Sequence, residues 1–198
     1  MGSRRHQLSL QEALSLEGEA HRLLVAGRAP EARDVLGEVS ELYRRSWEAA
    51  PPRSYGRLLG MLKAAVIAGD AGRAAGYVRE ALGPEGDSPA SWYALGLAAL
   101  VDGDDALAAR AAEGMRADAG PGRSGSDAFL RTADAIAAIA GRDRDRYARA
   151  LEAIVADFER REEHLTGVPI ADTALVLERL AADRGMAANP QSALVPAL

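Results

Sequence analysis

The chain has no cysteine, a single lysine and only nine Phe, Trp and Tyr residues in 198. Each shortage excludes something. Without thiols there is no disulfide, no Cys-ligated zinc or iron–sulfur cluster, and no thiol nucleophile or redox switch. The β-branched and aromatic residues that build sheets are sparse, while alanine makes up about a fifth of the chain and Leu, Glu and Arg are plentiful. That composition favours helix. Positive charge is also short: 24 Lys and Arg face 29 Asp and Glu, for a net charge of −5. Nucleic-acid binding needs a concentrated basic patch, so it is not expected. No apolar run reaches the roughly 18 residues of a membrane span. The basic start, Met1 to His6, leads into Gln7, Ser9, Gln11 and Glu12 in place of an apolar stretch, so no signal peptide and a cytoplasmic protein are expected. The length suits one domain over residues 1–198, large enough to bury a core without a metal.

What is present reads as about nine helices. Ser9 with Glu12 forms a capping box opening a helix that ends at Gly27, and Pro30 sits in the first turn of a second that runs to Pro51-Pro52. A third runs from Tyr55 to Gly69 and a fourth from about Ala71 to Leu82. Ser88-Pro89 opens a fifth, ended by Gly103, and a sixth covers about Asp104 to Asp118. The Gly-rich segment Gly120 to Gly125 is the clearest break. Ser126 to Gly141 is a seventh helix, Asp143 to His164 an eighth and the longest, and Ile170 to Arg184 a ninth, before a proline-containing tail from Gly185.

The turns at Gly27, Gly69, Gly103 and Gly141 recur 42, 34 and 38 residues apart. The middle spacing is the tetratricopeptide period. Ser91-Trp92-Tyr93-Ala94-Leu95-Gly96, then Ala99, Gly103-Asp104 and Ala108, resembles that repeat's pattern. Gly96 and Ala108 let paired helices approach, and Trp92 and Leu95 fill the space between them. The fold expected is all-α: antiparallel helix pairs in a tetratricopeptide-like solenoid or a compact bundle. Its units are about 9–50, 53–88, 89–122 and 126–164, with a capping helix and tail over 169–198.

Motifs for chemistry fail on context. Gly120-Pro121-Gly122-Arg123-Ser124-Gly125 matches the dinucleotide fingerprint by letter, but no strand precedes it. Asp102 to Glu113 has acidic residues at calcium-loop spacing, yet Leu107 stands where the turn demands Gly. His6, His21 and His164 are scattered, so no metal and no cofactor are expected. No G-x-S-x-G elbow occurs. Two sets of residues remain as candidates. Projecting repeat groove positions onto the chain gives Glu17, His21, Leu59, Lys63, Tyr93, Leu97 and Arg131 along one concave face, with Lys63, Tyr93 and Arg131 carrying its chemistry. On the eighth helix, Asp157, Arg161 and His164 project at i, i+4 and i+7, near Tyr147, either as a polar ligand stripe or as an ion-pair face.

The final segment, Glu163-His164-Leu165-Thr166-Gly167, Ala174-Leu175, Leu180-Ala181, Arg184-Gly185-Met186 and Ser192 to Pro196, resembles the C-terminal portion of the immunity protein 49 family. The resemblance implies an all-helical bacterial protein that neutralises a toxin by occluding it. Because solenoids build extended concave surfaces and no catalytic motif is present, the expected function is non-enzymatic recognition of a protein or peptide partner through a concave groove, immunity to a toxin being one form. The competing one is a small-molecule or catalytic site of a biosynthetic pathway, near Tyr93, Tyr147, Asp157 and His164. The oligomeric state is open, a homodimer included.

Overall fold

The computed structural model describes residues 2–120 and 125–198, with side chains from His6 onward. Among these residues the protein is all helix, without strand: α1 (Gly2–Val25), α2 (Ala29–Glu48), α3 (Gly56–Ala68), α4 (Gly72–Leu82), α5 (Pro89–Asp102), α6 (Asp105–Ala119), α7 (Ser126–Ala140), α8 (Arg144–Glu159) and α9 (Asp172–Ala182). None of them is long and apolar enough to cross a membrane.

Local chemistry sets most of these ends. Ser88 and Ser91 cap α5 reciprocally, and Asp104 and Asp143 cap α6 and α8 through their carboxylates. Gly69 and Gly103 close α3 and α5 in the left-handed conformation, with φ of 89° and 76°. Gly141 departs from this pattern: it stays right-handed at φ −80°, and Arg142 takes the positive φ, 55°.

Three helices differ from expectation at their boundaries. Ser9 caps nothing, because α1 already runs from Gly2. Tertiary contacts hold this first turn: His6 is buried, its carbonyl accepts from Ser46 Oγ at 2.7 Å, and its ring meets Arg57 at 3.1 Å. The first unit therefore begins before residue 9. α8 stops at Glu159 instead of near His164, and the chain turns through Arg160–Ala171 with Gly167 at φ 70°. α9 is shorter than the expected Ile170 to Arg184 at both ends. The Pro121–Ser124 part of the expected Gly-rich break lies outside the described residues.

Each helix packs on the next, and α3, α5 and α7 also pack side by side. This is the arrangement of stacked helix pairs, with α3, α5 and α7 as the inner row. α9 packs on α3, α7 and α8, so it lies across that inner row. The tail follows it back: the Ala171 amide donates to Leu194 O at 2.8 Å and the Asn189 amide to Glu178 at 2.8 Å.

Small residues set how closely the layers approach. A Cβ on Gly96 would stand 3.1 Å from Ile136 of α7, one on Gly60 2.6 Å from the Tyr43 ring, and one on Gly114 2.4 Å from the Trp92 indole. Gly37, in the middle of α2, faces open space. Gly37→Ala should therefore gain about 0.5–1 kcal/mol from helix propensity alone. Gly114→Ala should lose about 1–3 kcal/mol through overpacking against a rigid ring. Paired urea denaturations test both signs, and equal effects at the two sites would contradict this packing.

Candidate functional site

One side of the inner row, where the groove was expected, is covered by the protein's own chain. α9 and the Arg160–Ala171 loop sit on it, and where they meet α1 and α3 they leave a recess of about 190 Å³. Glu17, His21, Lys63, Phe158, Arg161, His164, Leu165, Thr166, Asp172 and Thr173 are among its walls. A smaller hollow of about 90 Å³ shares Phe158, Arg161 and Thr173 with it and adds Tyr93, Arg131 and Asp157.

The expected groove and the expected α8 stripe are thus adjoining parts of one region, covered by the protein's own chain. Lys63 donates to Asp172 Oδ2 at 2.8 Å and to Thr173 Oγ1 at 3.0 Å, with its ammonium 5.7 Å from the centre of the Tyr93 ring. The Tyr93 hydroxyl donates to Thr173 Oγ1 at 3.4 Å. Arg131 and Arg161 each donate to Asp157 at 2.7 Å, and the Arg161 guanidinium lies 3.7 Å from the centre of the Phe158 ring. On the far wall Tyr43 donates to Glu17 Oε2 at 2.8 Å, and His21 Nδ1 is 2.9 Å from Thr166 Oγ1.

Not every expected residue belongs here. Leu97 is fully buried in the core, because the inner row packs on both neighbours at that level, and Leu59 is a half-buried core-edge residue outside the recess. Tyr147 is buried too, but its hydroxyl serves Glu178 at 2.8 Å, fastening α8 to α9. His164 is off the helix on which a shared stripe with Asp157 and Arg161 was expected. Its ring reaches the recess by stacking on Phe158, centroids 6.3 Å apart. Conversely, Tyr43, Thr166, Asp172 and Thr173 were not singled out by the sequence. The available signal was Lys63, the one lysine in a chain whose other cations are all arginine. Its compact ammonium meets Asp172, Thr173 and a tyrosine face at one point.

Burial controls the titrations. It raises Glu17 from an ordinary 4.5 to about 7, against the Tyr43 hydrogen bond, which lowers it. It lowers His21 from 6.5 to about 4, against the Asp172 charge. Lys63 and Asp172 are also penalised by burial, yet each holds its charge more firmly than usual because the other stands beside it. Two buried ring nitrogens have no hydrogen-bond partner among the described residues: His21 Nε2 and His164 Nδ1. No group of three or more His, Asp or Glu side chains there is arranged to hold a metal ion. No protein-family model, no curated protein and no solved structure matches the chain.

The pH dependence of stability follows with opposite signs. Glu17 binds its proton more tightly when folded, so its contribution is full below about 4.5 and is lost as pH rises through about 7. His21 binds its proton less tightly when folded, so its contribution is full above 6.5 and is lost as pH falls toward 4. Each is worth on the order of 3 kcal/mol, and between pH 4.5 and 6.5 the two nearly cancel. Relative to wild type, Glu17→Gln should make stability climb with pH across that window, and His21→Gln should make it fall. Urea denaturation at stepped pH measures this; profiles parallel to wild type in both variants would contradict the burial argument.

Proposed function

We propose that the chain is a non-catalytic recognition protein whose partner, another protein, docks over the Arg160–Ala171 loop at the mouth of the recess. Neutralisation of a toxin by occlusion is one form of this function. The observation that carries the reading is Leu165. It is 81% exposed, on the loop that closes the protein's own groove, with exposed Arg160, Arg161, Glu162 and Glu163 just before it. An exposed apolar side chain following a run of exposed charges has the make-up of an interface anchor beside a polar rim.

Two further points support it. The ionised side chains of the site are committed to one another, Lys63 to Asp172 and both Arg131 and Arg161 to Asp157, as in a network that holds a surface in shape. The segment resembling the immunity protein 49 family also supplies this loop, with Leu165, Thr166 and the start of α9. An extended peptide in the concave groove is not favoured, because α9 occupies that place.

The test is to purify the protein products of the genes neighbouring this one and measure their binding by calorimetry; one of them is expected to be a toxin that binds. Leu165→Asp should weaken binding about 10- to 100-fold, as expected for a hot spot, whereas Gly37→Ala on α2 should leave it unchanged. Equal affinity of wild type and Leu165→Asp would remove the loop from the interface.

A further inference from the structure

The recess beneath the loop has features that protein docking over its mouth does not require. His21 is 3% exposed, its Nδ1 is engaged by Thr166, and its Nε2 has no partner among the described residues. His164, arriving from a different part of the chain, borders the same space with its own buried and unpartnered Nδ1. Buried polar atoms of folded proteins are nearly always satisfied by protein, water or ligand. At roughly 30 Å³ per water, about 190 Å³ holds about six waters, or one compact organic molecule.

The charges around the recess select the kind of molecule. Asp172 is spent on Lys63 and on the Thr173 amide, which donates to it at 2.8 Å. Glu17 is held by Tyr43 in surroundings that disfavour its ionised form. Lys63 is largely buried and committed in turn to Asp172, whereas the Arg161 guanidinium stands at the more exposed edge, fixed in direction by Asp157 and by the Phe158 ring. Thr166 can donate to His21 Nδ1, which leaves Nε2–H free to donate inward, and the His164 ring can carry a proton on Nδ1. An occupant thus meets a preset guanidinium and two imidazole donors, and while Glu17 is protonated the three cations Lys63, Arg131 and Arg161 exceed the two carboxylates Asp157 and Asp172 by one charge. A second cation would be repelled.

We infer that this recess is a binding site for a single compact carboxylate, held between Arg161, His21 and His164. The inference goes beyond partner docking and stands without it, since the carboxylate is either a free small acid or the acidic side chain of a bound protein.

The experiment uses the intact chain and small probes, with no partner present. Imidazole Cε1–H signals of His21 and His164 are followed by NMR while propionate, propionamide or propylammonium is added at constant ionic strength. Propionate should shift both histidines saturably, with a Kd in the range of about 1–10 mM. Propionamide and propylammonium should bind at least about tenfold more weakly, and Arg161→Gln, on an exposed side chain, should weaken propionate by a similar factor. N-acetylglutamate N-methylamide beside its glutamine analogue separates the two sources: a glutamate preference without a propionate response assigns the site to a partner's side chain. The inference is overturned if no carboxylate shifts His21 at up to about 50 mM. It is equally overturned if His164 alone responds, which marks binding at the exposed arginine only, or if propylammonium binds more tightly than propionate.

Discussion

An ammonium held largely out of water beside a carboxylate is the constraint on which the rest of this structure depends. Lys63 on α3 is 15% exposed and Asp172 at the start of α9 is 23% exposed, so each would lose hydration without recompense if the other were absent. Their pairing fastens the N-terminus of α9 onto the inner row of helices. The far end of α9 is fastened by Arg184, whose guanidinium donates to the Leu100 carbonyl at 2.7 Å and to Asp105 at 3.1 Å. A helix held at both ends cannot leave the groove without exposing two sets of desolvated polar groups.

Placing α9 there dictates the site. The twelve residues Arg160–Ala171 must cross from the end of α8 to the start of α9, which sets Thr166 against His21 and sends Leu165 outward. The wall of the recess away from the loop comes from α1, whose Glu17 and His21 lie one turn apart and are covered by Tyr43 and Thr166. The sealed groove, the polar recess and the exposed loop are three consequences of one docking event.

Much of the fold was legible in the sequence, because its determinants are local. Ser88-Pro89, Gly69 and Gly103 act within a few residues of where they stand, and they set the ends of α3 and α5 where the pattern puts them. The ends that differ are those decided at a distance: α1 is lengthened by Ser46 and Arg57, and α8 is cut short where His164 folds back on Phe158. The site was half legible. Glu17, His21, Lys63, Tyr93 and Arg131 share a region because stacked helix pairs make equivalent positions neighbours, a regularity that spacing conveys. Asp172 and Thr173 escaped because their partners are more than 100 residues away in sequence for Lys63 and 80 for Tyr93, and nothing periodic links a capping helix to the row it covers.

The central claim, that Lys63 and Asp172 together fasten α9 over the groove, is tested most directly by a double-mutant cycle on unfolding free energy with Lys63→Met, Asp172→Asn and the pair combined. Either single change strands a buried charge and should cost about 3 kcal/mol or more. The double variant should cost less than the sum by at least about 2 kcal/mol. Costs that add within about 0.5 kcal/mol would contradict the account, since they would mean that the two groups act independently and that something else holds α9 in place.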